Sequence, residues 1–159
     1  YRAVRMAREP IVDGPYLSTA YLAERPIPLL GRWWHFDFRY ETHIHGLGYS
    51  LVEVRVHGLE LRARLWVLPV PVAAGRLSLT LAASGSAADD VHPALRALPP
   101  RLRAAAIGRF LLFFLALDAR QDFAIWEHKR YVHPPALAPG DGPIGRYRSW
   151  AAQFCAAEE

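Results

Sequence analysis

Residues 33–45 alternate between an apolar and a largely polar set of side chains. Trp34, Phe36, Phe38, Tyr40, Thr42 and Ile44 take the even positions, and Trp33, His35, Asp37, Arg39, Glu41, His43 and His45 the odd ones. A helix would scatter both sets around its circumference, whereas a strand separates them onto opposite faces. The stretch therefore predicts a half-buried antiparallel strand. Gly46 and Gly48 interrupt it, and residues 49–57 alternate again with Val52, Val54 and Val56 on one face. Gly58 marks a tight turn into residues 59–68, where Leu59, Leu61, Ala63, Leu65 and Val67 oppose Glu60, Arg62 and Arg64. Pro69 and Pro71 are expected to end that strand, because neither can donate to a ladder. Residues 75–83 predict a further strand, and residues 16–23 a short one after the turn at Asp13-Gly14-Pro15. The small, polar stretch from Ser84 to Asp90 reads as a loop.

Helix follows the strands. Pro99 and Pro100 suit a helix start, and no further proline interrupts the chain from Leu102 to about Lys129. The segment Ile107 to Leu117 is apolar nearly all round, so it is expected to be buried on most sides. A turn at Gly140-Asp141-Gly142-Pro143 leads into a last amphipathic helix from Ile144 to about Ala156. The 159 residues thus divide into an N-terminal segment (1–32), an antiparallel sheet (33–83), a long helix (94–130) and a C-terminal turn and helix (140–157), all within one domain. The expected class is α+β, a curved antiparallel sheet gripping a long C-terminal helix. Such a grip commonly leaves an apolar cavity, with Phe110, Phe113, Phe114 and Trp126 as candidate lining residues. For the phenylalanines, plain core packing is the competing reading.

Composition narrows the function classes. With 52% hydrophobic and 21% charged residues, the chain can build a core and is no disordered segment. Its longest apolar run, Phe110 to Leu117, is far short of the roughly 20 residues of a membrane span. One cysteine, Cys155, excludes an internal disulfide, a Cys-rich zinc site and a complete iron–sulfur site within this chain. No export leader is visible, and a cytoplasmic location is the expectation. The net charge is +4, carried almost entirely by arginine. Those arginines are spread along the chain among acids, without a block that would track a phosphate backbone, so no nucleic-acid partner is expected.

Two constellations could carry chemistry. His35, His43 and His45 share a strand face, but Asp37, Arg39 and Glu41 share it too, which reads as a solvated or partner-facing surface rather than a metal site. Asp118 and Asp122 stand four residues apart, on one helical stripe with Phe114, Leu115, Ile125 and Trp126. A carboxylate on a core-facing stripe needs a partner, a proton or a cation. Arg120 or Lys129 could neutralise them if the helix surfaces here.

The run Gln121-Asp122-Phe123-Ala124-Ile125-Trp126-Glu127-His128-Lys129 resembles a family signature, as does Gly140-Asp141-Gly142-Pro143-Ile144 with Tyr147-Arg148, Trp150 and Gln153-Phe154. Together they resemble the C-terminal catalytic domain of Rieske-type non-haem iron oxygenases, closest to the ketosteroid hydroxylase and cholesterol desaturase group. His45-Gly46-Leu47-Gly48-Tyr49 and Leu68-Pro69-Val70 also look similar to that group's sheet. The resemblance implies a helix-grip fold of the START and Bet v 1 kind. It implies Fe(II) in a two-His, one-carboxylate site with Asp122 as the carboxylate, which leaves positions open for O₂ and a substrate C–H bond. It further implies hydroxylation or desaturation of a hydrophobic, steroid-like molecule, with Asp118 supporting. A [2Fe-2S] cluster would come from a separate domain or chain, together with a Rieske or reductase electron-transfer partner and a trimeric or hetero-oligomeric assembly.

This sequence departs from the pattern at the histidines. Laying Tyr1-Arg2-Ala3-Val4-Arg5 against the family's upstream His-containing run puts Arg5 at a ligand position, where its fixed charge would repel iron. A relative that had lost the metal, binding an apolar ligand or supporting an active partner subunit, could replace the iron with an Arg5–Asp122 ion pair.

Overall fold

The computed structural model describes residues 2–29, 31–86, 92–130, 132, 134–138 and 141–155. Six strands come first: β1 (Arg2–Asp13), β2 (Tyr16–Leu29), β3 (Arg32–His45), β4 (Tyr49–Val56), β5 (Leu61–Ala73) and β6 (Arg76–Gly85). They form one open antiparallel sheet in sequence order, each strand paired with the next. Helices α1 (Pro93–Arg96), α2 (Pro100–Trp126) and α3 (Ile144–Ala151) follow, the last continuing into a 3₁₀ turn at Ala152–Phe154. The class is α+β.

The alternation of β3 sets the two faces of the sheet. Its ladders join Phe38 to Ala23 and Val56, and Tyr40 to Tyr21 and Val54. Beyond β4, Val54 faces Ala63 and Val52 faces Leu65. These residues make the helix side. Ile27, Phe38, Val54, Val56, Ala63 and Leu65 form one cluster there with Ile107 and Leu111 of α2. Left-handed turns at Gly46 (φ 62°) and Gly58 (φ 81°) close the hairpins on either side of β4, in a conformation glycine adopts without penalty.

Several expectations are corrected. The N-terminal segment supplies two long strands rather than one short one. The prolines do not end β5, which pairs Pro69 with Leu79 and Pro71 with Leu77. The β4 ladder stops at Ser50–Val67, so beyond it β5 has β6 alone as partner, and the missing proline N–H groups are not required on the other side. The long helix is broken after α1 and restarts at Pro100. Nor is its apolar middle enclosed: Phe113 is 59% exposed, because α2 packs on a single sheet. The loop expected from Ser84 begins later, since β6 runs to Gly85, and residues 87–90 lie outside the described set, as do Gly140 of the C-terminal turn and residue 156.

Helix α2 sits on β6 and β5. The closest approach lies between two glycines. A Cβ at Gly85 would come within 2.4 Å of the Ala104 carbonyl oxygen and 2.7 Å of the Ile107 Cβ. One at Gly108 would meet the Gly85 nitrogen at 3.2 Å. Backbone cannot retreat as a flexible side chain can, so Gly85→Ala is predicted to destabilise the fold by about 1–3 kcal/mol in urea unfolding, and Gly108→Ala by less.

Candidate functional site

A cavity of about 200 Å³ opens between α2 and the sheet. Phe38, Tyr40, Val54 and Leu65 wall it from the strands, and Phe110, Phe114 and Leu115 from the helix. Two charged residues line it, Arg25 and Asp118. They form a bidentate pair: Arg25 Nη1 donates to Asp118 Oδ2 at 2.7 Å and Nη2 to Oδ1 at 2.9 Å. The Arg25 guanidinium also lies 4.9 Å from the centre of the Phe114 ring, a cation–π contact. Side-chain exposure is 15% for Arg25 and 28% for Asp118, so water screens the pair only in part.

Of the candidate cavity residues, Phe110 and Phe114 line this space, their rings edge to face at 4.8 Å. Phe113 stacks edge-on against Phe114 but faces outward. Trp126 lies at the C-terminal end of α2, 47% exposed and against Phe123. The sequence reading missed Arg25. The helix-side positions of β2 run Leu17, Thr19, Tyr21, Ala23, Arg25, Ile27, and one arginine in such a row is a signal once the strand is extended past residue 23.

Asp118 is paired with Arg25, which reaches it from β2 rather than from its own helix. Asp122, one turn on, is exposed. Arg5 pairs in register with Leu22, which faces Arg39, and so stands on the face of the sheet away from α2. Among the described residues no ion pair joins Arg5 to Asp122. No group of three His, Cys, Asp or Glu side chains that could hold a metal occurs among them either, so they do not by themselves complete a two-His, one-carboxylate centre.

The outer face carries the histidines. Tyr16 Oη and His43 Nδ1 are hydrogen-bonded at 2.6 Å, the Tyr16 and His45 rings lie 4.9 Å apart, and His35 pairs with Glu24. Arg39, Arg55 and Arg62 stand side by side across β3, β4 and β5. On the next rung Glu41 accepts from Arg39 Nε at 2.9 Å and Glu53 from Arg64 Nε at 3.0 Å. The hydrogen bond from Arg39, with the positive charges of Arg39, Arg8 and Arg55, holds the Glu41 carboxyl below its usual range against the opposing effect of burial.

The C-terminal signature has a structural task. Trp150 is buried and its indole N–H donates to the Gly14 carbonyl at 3.0 Å, as does the Gln153 amide at 3.1 Å. Phe154 packs edge-on against Trp150 and reaches the Gly46 turn. These residues clamp α3 across the β1–β2 and β3–β4 turns.

Sequence comparison places this architecture in a family. Residues 32–155 match the 3-ketosteroid 9alpha-hydroxylase C-terminal domain, and the chain belongs to that family of Rieske-type oxygenase domains. A cholesterol 7-desaturase of Caenorhabditis elegans is 42% identical over 48 residues, covering 28% of this chain and 11% of that protein. The chain thus matches only a small part of that relative's length. No solved structure gives a significant match.

The two carboxylates of α2 should separate by stability. Asp118→Ala strands a largely buried guanidinium and is predicted to cost about 2 kcal/mol in urea unfolding. Asp122→Ala, at an exposed position, should stay within about 0.5 kcal/mol. Glu41→Gln should lower stability at neutral pH. Because the folded carboxyl titrates below the unfolded one, the gap to wild type should close as pH falls through the folded pKa, read from melts at stepped pH.

Proposed function

We propose that this chain is the catalytic-domain portion of a Rieske-type non-haem iron oxygenase, built as a helix-grip domain, that hydroxylates or desaturates a hydrophobic, steroid-like substrate. The observation that carries the reading is the apolar cavity beneath α2 in a chain of this family. At about 200 Å³ it exceeds the cavity of about 150 Å³ that takes benzene, and falls short of the roughly 300 Å³ at which drug-sized pockets begin. It therefore seats one or two rings of a larger molecule, the remainder leaving through its mouth.

Asp122 is the residue of this chain assigned to the iron. It is exposed on the last turns of α2, about 6 Å along the helix axis from Asp118 at the cavity wall. Iron is usual in the family, and no group of three His, Cys, Asp or Glu side chains that could hold a metal occurs among the described residues. This chain's own part is to bind the substrate: Phe110 and Phe114 exclude water from the apolar rings, and the sheet sets their depth. An electron-transfer partner carrying the [2Fe-2S] cluster, an oligomeric assembly and a cytoplasmic location belong to the same reading. Among the described residues no helix is long and apolar enough to cross a membrane.

Anaerobic Fe(II) binding to this chain and to its Asp122→Ala variant tests the assignment. One iron per chain, lost on substitution, is the expected result. Retention of iron by the variant would remove Asp122 from the site. Binding by neither would overturn one iron per chain and leave two readings, a catalytic domain whose ligand set this chain does not complete alone, or a metal-free member of the fold that holds an apolar ligand.

A further inference from the structure

We infer that the outer edge of β6 pairs with the same edge of a second copy of this chain, antiparallel and centred on Leu79, joining two sheets into one. The inference rests on the edges of the sheet and stands apart from the iron and the cavity.

An open sheet ends in two edge strands, and an unprotected edge is a template for another strand. The two edges here differ. β1 contains Arg2, Arg5, Arg8, Glu9, Pro10 and Asp13, and its ladder with β2 shifts register three times. Charges, a proline and bulges are the devices that blunt an edge. β6 has a single charge, Arg76 at its start, and no proline. Its register with β5 runs unbroken from Pro71–Leu77 to Ala63–Gly85. Among the described residues no strand lies beyond it.

The hydrogen-bond phase of β6 determines which groups face outward. Ser86 N–H donates to the Arg62 carbonyl at 2.8 Å. Opposed residues in an antiparallel ladder alternate between pairs that exchange both bonds and pairs that exchange neither. The even-numbered residues of β6 therefore bond to β5, and the backbone groups of Leu77, Leu79, Leu81, Ala83 and Gly85 point to the edge. Pro69 and Pro71 agree with this phase, since they stand opposite Leu79 and Leu77, where β6 requires no N–H from them.

Helix α2 limits the open part of that edge. A Cβ at Gly108 would lie 3.2 Å from the Gly85 nitrogen and 3.4 Å from the Ala83 carbonyl oxygen. Both are outward-facing groups, so the helix takes the place of a neighbouring strand there. The window left open runs from Leu77 to Leu81.

The sequence of the window selects its occupant. Leu77-Ser78-Leu79-Thr80-Leu81 reads nearly the same in both directions. Antiparallel pairing about Leu79 sets Leu77 opposite Leu81, Leu79 opposite itself and Ser78 opposite Thr80, and it satisfies the outward groups of all three leucines. Leu81 faces Val67, a wall of the cavity, so the leucines of both copies form one apolar strip on the α2 side of the joint sheet. The hydroxyls meet on the other side. Both kinds of cross-strand pair are favourable. Leu77, 69% exposed in the single chain, is covered by the second copy. Each chain offers one such edge, so the contact closes as a dimer and does not propagate into a filament.

Sedimentation velocity on the whole chain, over a concentration series reaching about 100 μM, tests the pairing. A reversible dimer in the micromolar range is expected, since so short an edge makes an interface at the small end of the stable range. Leu79→Pro removes an outward N–H and no β5–β6 bond, so it should leave the circular dichroism unchanged and weaken the dimer by about tenfold. Register is read by oxidative cross-linking of Leu79→Cys and Leu77→Cys, each combined with Cys155→Ser because Cys155 is exposed. Position 79 meets its own counterpart at a Cα separation of about 5.5 Å, within disulfide reach, and should link two chains. Position 77 stands roughly 13 Å from its counterpart and should not.

A monomer at every concentration would overturn the inference and leave the edge to a strand of another protein. A dimer that Leu79→Pro does not weaken, or that links as readily through position 77 as through 79, would overturn it as well. If Leu79→Pro does not fold, Leu79→Lys decides. It sets two like charges directly opposite each other and should dissociate the dimer, and an unchanged dimer would overturn the pairing.

Discussion

The close contact between Gly85 and Gly108 governs what the rest of the molecule can do. It seats the first half of α2 directly on β6, backbone against backbone, with Ile107 and Leu111 entering the core beside it. The helix is rigid, so its remaining turns are carried over β5 toward β2 at a height the first half has already set. Large side chains at the glycine positions would raise the whole helix, and the core cluster would lose its contacts. Over β2 to β5 the space beneath α2 is filled only in part by Phe110, Phe114 and Leu115. A cavity is the geometric remainder of a helix pinned at one end. The Arg25–Asp118 pair is what ties it down at the other.

That arrangement explains how far the sequence could be read. Strand β3 was legible because a period of two over thirteen residues has one physical solution, and its ladder then carried the same inside and outside onto β2, β4 and β5. The prolines misled for a specific reason. The rule that proline ends a strand concerns strands paired on both sides, and Pro69 and Pro71 lie beyond the point where the β4 ladder stops. Sequence states which residues lack an N–H; it does not state how far the adjacent strand reaches. The same limit hid Arg25. It stands at a helix-side position of β2, two residues past the expected strand end, and its role depends on Asp118, 93 positions away in the chain.

The two aspartates of α2 make a sharper case. Asp118 and Asp122 have the same chemistry, the same helix and nearly the same stripe, and spacing gave no way to divide their roles. Environment divides them. Asp118 faces an arginine across a cavity and is committed to it, while Asp122 lies one turn further on, where the helix has run past the sheet and the carboxylate meets solvent. The expected neutralisers, Arg120 and Lys129, were chosen from sequence proximity along the helix. Arg25 arrives through the third dimension, which is the usual way a half-buried charge is paired.

The family signature divides along the same line. Trp150, Gln153 and Phe154 hold α3 against two hairpin turns, a task of fold maintenance. Recognition of these residues therefore argues strongly for the fold and says little about chemistry. The carboxylate proposed for the iron, Asp122, has no such packing duty, since it is exposed on the last turns of α2. The cavity differs from it in this respect. Its walls are set by the core and cannot vary freely without cost to the fold.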